Sequence, residues 1–108
     1  MDEKSFMDQC QQTLSLIEAA VEKAVEEGAE VDYETQSGIL EIECADGSKV
    51  IVSPHLIARE IWVAAKSGGF HFRHDETQGW VDTRTGESLK KRLTEILKEQ
   101  GQIQVNLA

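Results

Sequence analysis

The apolar residues of this chain change their spacing twice along the sequence, and that change constrains the fold more than any other feature. In the first quarter they recur at steps of three and four, the spacing of one face of a helix. This stripe consists of Phe6, Cys10, Leu14, Ile17, Val21, Ala24 and Val25. The pattern predicts a helix over about residues 5–27, with Ser5 and Asp8 as a capping box and Gly28 as its terminator.

After Gly28 the apolar spacing becomes two, which is typical of half-buried strands. The alternating segments lie around 31–34, 40–44, 50–52, 61–65, 70–73 and 80–81. The Asp-Gly pair in the turn 45–48 is a hairpin signal and predicts antiparallel pairing. From Ser88 the helical spacing returns, with Gly101 predicted to close the helix, and the tail after it should lie against the helices or the sheet edge.

The order of elements, a helix, five or six strands and a second helix, predicts an α+β fold in two layers. Each helix has one apolar stripe and the sheet has one apolar face, so both helices should pack on the same face. The other face would be open to water, which antiparallel sheets tolerate. Because no repeat or linker divides the 108 residues, we expect a single domain over 1–108.

Composition and charge exclude several classes of protein. The net charge of −9 argues against nucleic acid or an anionic membrane as the main partner. No apolar run is long enough to span a membrane, and the acidic start of the chain is unlike a signal peptide, so a cytoplasmic protein is expected. Cys10 and Cys44 lie far apart in no metal-binding spacing, which favours buried thiols over a disulfide.

The negative charge is concentrated in one half of the chain. Residues 1–46 hold 13 acidic side chains against two lysines, a net charge of −11, whereas the remainder carries +2. On the first helix acidic residues recur every four positions, so their carboxylates stack along one exposed line, with Lys23 the only cation nearby in sequence. The line continues past the helix end towards the first strand. We refer to its seven members as the acidic ridge: Glu18, Glu22, Glu26, Glu27, Glu30, Asp32 and Glu34.

The acidic ridge has two interpretations. Runs of like charge are most often solvated polar faces. Solvated helix faces commonly interleave Lys or Arg with Glu, however, and that support is missing here. Carboxylate oxygens are hard ligands that suit Fe²⁺, Fe³⁺, Mn²⁺, Mg²⁺ and Ca²⁺. Because the strip is convex and has no cage, the expected binding is weak, multiple and poorly selective.

Trp62 alternates with Ile61 and Val63, so it should point onto the sheet face that the helices leave bare. There it either packs against neighbouring side chains or serves as an interface anchor. His71 and His74 are three positions apart on a strand and should lie on opposite faces, which argues against a metal pair. No nucleotide-binding or hydrolase motif occurs, so the sequence gives no positive sign of an enzyme.

The chain resembles the bacterial frataxins, the CyaY family, over roughly residues 5–107. The resemblance rests on the acidic first helix and strand and on SGILEIECADGSKVIV (37–52), IWVAAKSGGFHF (61–72) and WVDTRTGESL (80–89). It implies an α-β-α sandwich and a role in iron–sulfur cluster biogenesis. In that role a frataxin binds iron on its acidic ridge and docks on the cysteine desulfurase and the scaffold protein.

Carried over position by position, the resemblance places the metal ligands on the same seven ridge residues. Trp62 matches the family's sheet tryptophan and is expected to contact a partner, as are Glu18 and Glu22. Lys23 stands where relatives commonly have a carboxylate. The segment 53–57, Ser-Pro-His-Leu-Ile, departs from the family's Asn-x-Gln-x-Pro, so partner contacts of that Asn and Gln do not carry over.

The function expected from the resemblance is that of an iron-responsive adaptor or regulator of cluster assembly, monomeric without iron and not an enzyme. It would bind Fe²⁺ or Fe³⁺ weakly, with other divalent cations as competitors. Two alternatives stay open at this point. One is iron oxidation with storage in oligomers, although the Glu-x-x-His pairing of di-iron bundles is absent. The other is a protein-binding module whose ridge carries no metal.

Overall fold

Six strands form one antiparallel meander, and two helices cover one of its faces. The structure is a computed structural model, and it describes residues 1–107. The strands are neighbours in the order in which they follow one another in the chain. The elements are α1 (Glu3–Glu26), β1 (Val31–Gln36), β2 (Ile39–Cys44), β3 (Lys49–His55), β4 (Glu60–Ala65), β5 (Gly68–Asp75), β6 (Gly79–Asp82) and α2 (Leu89–Gly101). The predicted α+β architecture is confirmed, with six strands.

The hydrophobic core lies between the helices and the covered sheet face. The predicted stripes of both helices are buried, and every strand contributes alternate residues to the same layer. Ile103 and Leu107 of the tail are buried as well, so the tail completes the core without forming a strand. None of the helices in residues 1–107 combines the length and the apolar character needed to cross a bilayer.

The start of α1 differs from the prediction, and its end agrees with it. The helix begins at Glu3, and the carboxylate of Asp2 accepts a hydrogen bond from the Ser5 backbone N–H at 2.8 Å. The predicted capping box at Ser5 is therefore wrong, because an acidic N-cap three residues earlier, Asp2, satisfies one of the first free N–H groups. At the other end Gly28 has φ +101, the conformation in which glycine terminates helices.

A tight turn fixes the register of the first two strands. Ser37 and Gly38 both have positive φ, +55 and +77, which is the signature of a type I′ hairpin turn. This turn sets Gln36 opposite Ile39. Because side chains alternate between faces, a slip by one residue would exchange the buried and exposed sets of the whole strand.

Pro54 lies inside β3, which is otherwise a central strand. The last residue of β3 that pairs with β2 is Val52, whereas Pro54 pairs with Ile61 of β4. From residue 53 onward β3 therefore has a partner on one side only. A proline is tolerated there because no second strand needs its missing N–H.

Helix α1 crosses the sheet from the β6 edge to the β1 edge. Near its start the Phe6 ring lies 5.9 Å from the ring of Trp80 on β6, and Trp80 Nε1 donates to Thr13 Oγ1 at 3.0 Å. Near its end Glu22 Oε2 accepts a hydrogen bond from Tyr33 Oη on β1 at 2.9 Å. This course carries the acidic C-terminal turns of α1 to the outermost strand.

Helix α2 is terminated by a C-cap residue in the left-handed conformation, one position beyond the predicted terminator Gly101. Gln102 adopts the left-handed conformation, and Ile103 N donates to Leu97 O at 3.0 Å. Gly101 is the last helical residue, and its φ is not positive. A Cβ at Gly101 would lie 2.7 Å from Ile103 Cδ1 and 2.8 Å from Cys44 Sγ. Glycine is required here for space, because the helix end sits directly on the core.

We therefore expect Gly101→Ala to destabilise the protein by about 1–2 kcal/mol. The clash with the buried Cys44 sulfur outweighs the gain in helix propensity, which is about 1 kcal/mol. Urea denaturation of both proteins measures the difference. Gly69→Ala is the matched control, because nothing lies within 4 Å of a Cβ at that position. Equal stability of the two variants would contradict the packing argument.

Candidate metal and partner surface

The helical part of the acidic ridge lies against the edge strand β1. Glu18 is half-buried, and Glu22 and Glu26 are exposed. The hydrogen bond from Tyr33 to Glu22, together with partial desolvation and the charges of Glu22 and Glu18, raises the pKa of Tyr33 above its ordinary value. Both carboxylates therefore act on the same side chain of β1, so the helix and the strand form one continuous surface at this point.

The strand part of the ridge lies on the other face of β1. Asp32 and Glu34 are exposed and alternate with buried Val31 and half-buried Tyr33, which face the helix. Glu27 and Glu30 are exposed in the connection between α1 and β1. The ridge therefore follows the rim of the sheet, from the helix layer around the edge strand onto the open face.

Two further carboxylates join the ridge through strand pairing. The register of β1 and β2 places Asp32 opposite Glu43 and Glu34 opposite Glu41. Like charges directly opposite each other destabilise a sheet, so these two pairs add to the self-repulsion of this edge. Glu41 and Glu43 were not among the predicted ridge residues. The Ser-Gly turn between the two strands was the signal that would have placed them.

One lysine compensates part of this charge, and sequence reasoning missed it. Lys49 Nζ lies 2.5 Å from Glu41 Oε1. The hydrogen bond with Glu41, and the charges of Glu41, Glu43 and Glu34, raise the pKa of Lys49. Within residues 1–107, no Lys or Arg nitrogen comes within 4.0 Å of any of the seven ridge carboxylates. The ridge itself stays negatively charged.

The donor atoms of the ridge suit hard cations, but they form no coordination cage. All seven side chains offer carboxylate oxygens, the ligands that iron, manganese, magnesium and calcium accept. In the part of the chain that the structure describes, no three His, Cys, Asp or Glu side chains are grouped so that they could hold a metal ion. The arrangement fits loose binding at several places along a charged rim, with the ion keeping much of its water.

Trp62 lies on the open sheet face, where it is clamped between two histidines. The His55 ring is stacked on it at 3.9 Å between centroids, and the His71 ring at 4.3 Å on the other side, with interplanar angles of 13° and 6°. The side chain is half-buried. Both faces of the indole are thus covered by imidazoles, and Trp62 packs against neighbours while remaining on the face that the helices leave bare.

A buried carboxylate holds this stack in place. Glu60 is buried although it lies on the open face. Its oxygens accept hydrogen bonds from Trp62 Nε1 and Arg73 Nη2, each at 2.8 Å, and His71 Nδ1 lies 3.6 Å away. Burial raises the pKa of Glu60, but the bonds from Trp62 and Arg73 and the Arg73 charge outweigh it and leave the pKa below its ordinary value. Glu60 is therefore an ionised anchor.

Two of the three histidines, His55 and His71, share the Trp62 stack, and His74 lies apart from it. His71 and His74 lie on opposite sheet faces as predicted, and His74 meets the edge of Trp80 at 5.2 Å. His55, which has no partner in the sequence pattern, accepts a hydrogen bond at Nδ1 from the Ala58 backbone N–H at 3.3 Å. His55 therefore connects the departing segment 53–57 to the Trp62 stack.

Solved structures of two frataxins share this fold. The frataxin of Psychromonas ingrahamii superposes with a TM-score of 0.89 at 24% sequence identity, covering 100% of this chain and 99% of that one. Yeast frataxin superposes with a TM-score of 0.74 at 20% identity, covering 89% and 80%. At these identities the comparison establishes the architecture alone.

Sequence comparison identifies the family. The iron-sulfur cluster assembly protein CyaY of Dechloromonas aromatica is 46% identical over 101 residues, which cover 93% of this chain and 92% of the relative. The protein of the same name from Janthinobacterium sp. (strain Marseille) is 46% identical over 110 residues, covering 99% and 96%. The family described as the frataxin-like domain matches residues 1–103. This chain therefore belongs to the frataxin-like family, in its bacterial CyaY branch.

Proposed function

We propose that this protein is an iron-binding adaptor that regulates iron–sulfur cluster assembly in the bacterial cytoplasm. It docks as a monomer on the cysteine desulfurase and its scaffold protein, and it acts by binding and not by catalysis. Relatives at 46% identity carry the name of iron-sulfur cluster assembly proteins. The observation that carries the proposal is the ridge of seven carboxylates, none paired with a Lys or Arg within the described residues, along the β1 edge.

Iron enters this proposal as an effector or cargo that binds weakly. Fe²⁺ or Fe³⁺ is attracted by the summed field of the ridge and held by one or two carboxylates at a time, so other divalent cations compete for the same places. Each bound ion removes negative charge from the surface that the partner meets. The iron level therefore sets the strength of docking.

Docking uses two adjoining surfaces. The ridge attracts a basic groove of the partner, and such attraction speeds association and weakens with salt. The open face around Trp62 then supplies a fixed aromatic contact, because Glu60 and the two stacked histidines hold the indole in one orientation. Glu18 and Glu22 are the proposed partner contacts on the helix.

The ionisation of Tyr33 can report cation binding at Glu22 and Glu18, because Tyr33 is the only tyrosine of the chain. A cation bound at Glu22 and Glu18 takes charge from the acceptor of the Tyr33 hydroxyl, so the phenol should ionise at lower pH. We expect saturating Ca²⁺ to lower the pKa of Tyr33, measured by ultraviolet absorbance of the tyrosinate during a pH titration.

Substitution of Glu22, the acceptor of the Tyr33 hydroxyl, should change the pKa of Tyr33 in the same direction without any cation. Glu22→Gln should lower the pKa of Tyr33, because the charged acceptor of its hydroxyl is gone. Glu26→Gln is the matched control, since Glu26 is not among the charges that act on Tyr33. One outcome would contradict cation binding at Glu22 and Glu18. In it, Glu22→Gln lowers the pKa of Tyr33, but Ca²⁺ leaves the pKa of Tyr33 in the wild-type protein unchanged.

Docking is tested by reversing the charge of the helical ridge. Replacement of Glu18, Glu22 and Glu26 by Lys should weaken binding to the cysteine desulfurase about a hundredfold or more, because attraction becomes repulsion. The control variant replaces Asp8, Glu76 and Glu99, exposed acids outside the ridge, by Lys and has the same net charge. Surface plasmon resonance at several salt concentrations gives both affinities. Equal losses in the two variants would show an effect of net charge alone.

The crowding of carboxylates at the β1 edge should appear in the thermal stability. Salt screens the repulsion in the pairs Asp32–Glu43 and Glu34–Glu41, and a cation that binds only the folded state stabilises it by mass action. Sodium chloride and Ca²⁺ should both raise the melting temperature in calorimetry. The double variant Asp32→Asn, Glu34→Gln should begin at a higher melting temperature and gain less from either addition. A wild-type melting temperature that falls with salt would refute the argument.

A further inference from the structure

The run from Trp80 to Glu87, which comprises the end of β6 and the start of its connection to α2, contains residues that the proposed function does not use. Trp80 belongs to the core. The following Asp82, Arg84 and Gly86 form a short connection, in which Gly86 has φ +77, a conformation that favours glycine. This connection lies beside β6, the sheet edge opposite the acidic ridge.

Internal hydrogen bonds fix the shape of this connection. Asp82 is buried, and its Oδ1 accepts from the backbone N–H groups of Arg84 at 2.7 Å and of Thr85 at 3.1 Å. Thr83 N donates to His71 O at 3.0 Å, which fastens the segment to β5. The backbone of the connection is therefore held in place before any ligand arrives, which lowers the entropic cost of binding.

A cavity of about 210 Å³ opens between this connection and the start of β5. Residues 69–71 form one wall, residues 82–85 form the other, and Arg92 of α2 lines the space between them. Two arginines, Arg84 and Arg92, thus line the same small space. Asp82 is the only acid on its wall, and one of its carboxylate oxygens is already engaged by the backbone.

Arg92 lies over an aromatic ring and has one acid at the edge of ion-pair distance. Its guanidinium carbon lies 4.7 Å from the centroid of the Phe70 ring. Stacking of this kind occupies a flat face of the guanidinium and leaves its in-plane N–H donors available. Its nearest carboxylate is that of Glu87, at 3.9 Å, which is beyond hydrogen-bond distance.

Arg84 has a free guanidinium. Its side chain is exposed, and within residues 1–107 it forms neither an ion pair nor a hydrogen bond. Arg73, in contrast, binds Glu60 at 2.8 Å. Arg84 and Arg92 therefore bring two positive charges to one cavity in a chain of net charge −9.

From this arrangement we infer that the cavity binds a phosphate group, as inorganic phosphate or as the head of a small phosphate monoester. Guanidinium groups bind the oxygens of phosphate through paired, charge-assisted hydrogen bonds. Thr83 and Thr85 line the same cavity, and their hydroxyls can supply further donors. Pockets for drug-sized ligands begin at about 300 Å³, so this smaller cavity fits a phosphate with a small substituent and not a whole nucleotide.

The test is an amide NMR titration of the ¹⁵N-labelled full chain at constant ionic strength and neutral pH. Inorganic phosphate should cause saturable shifts of the amides of Gly69, His71, Thr83 and Thr85, with a dissociation constant in the millimolar range, while the amides of the ridge stay unmoved. Glycerol 3-phosphate forms a second arm. Tighter binding of glycerol 3-phosphate assigns the site to monoesters, and equal or weaker binding assigns it to the free ion.

Variants distinguish a specific phosphate site from the general attraction of phosphate to positively charged side chains. Arg84→Gln and Arg92→Gln should each weaken phosphate binding about tenfold, which corresponds to the loss of one charge-assisted contact. Arg92→Lys keeps the charge but loses the planar fork, so it should also weaken binding. Lys98→Gln removes an exposed cation of α2 that does not line the cavity and should leave the affinity unchanged.

Two results would overturn the inference. One is a set of shifts that rise linearly without saturation, and the other is saturable binding that survives both Arg84→Gln and Arg92→Gln. If Arg92→Gln disturbs the packing over Phe70, seen as shifts throughout α2 without ligand, Arg84→Gln alone decides the question. The Arg84 side chain makes no ion pair or hydrogen bond within residues 1–107, so its replacement leaves the fold intact.

Discussion

The pairing register of the antiparallel sheet is the constraint on which the rest of the structure depends. The turn at Ser37 and Gly38 sets β1 against β2, and the pleat then sends alternate side chains to the helix layer or to water. Leu40 and Ile42 enter the core by this rule. The same rule lines up acidic residues of neighbouring strands on the open face. A shift of one position would bury charge and expose the core, so hydrophobic burial enforces an electrostatic arrangement that is itself unfavourable.

The sequence predicted those parts of the structure that depend on local periodicity. The spacing of apolar residues located both helices, and the four-residue spacing of Glu18, Glu22 and Glu26 placed them along one side of α1. Asp2 and Ser5 are both suitable N-cap residues, and the apolar spacing does not distinguish between them. The start of α1 was therefore predicted two residues late. The assignment of the seven ridge residues as metal ligands stays a prediction.

Features that depend on contacts between strands were missed. Glu41, Glu43 and Lys49 come to lie beside the ridge because of strand pairing, which the apolar pattern of their own segments does not show. The stack of His55, Trp62 and His71 arises in the same way from three separate strands. It also restricts how a partner can meet Trp62, since both faces of the indole are occupied. A partner must either contact the rim of the ring or displace one imidazole, and displacement of His55 would also break its hydrogen bond with Ala58.

The charge of the molecule is divided between opposite edges of the sheet. The ridge follows β1, whereas the arginine-lined cavity adjoins β5 and β6, with four strands in sequence order between the two edges. Such a separation orients the protein in the field of an approaching partner, with the negative edge leading towards a basic groove. A partner docked there leaves the β6 edge in water, so the cavity stays accessible. His71 lines the cavity and stacks on Trp62, so a ligand in the cavity would lie next to the proposed partner contact on the open face.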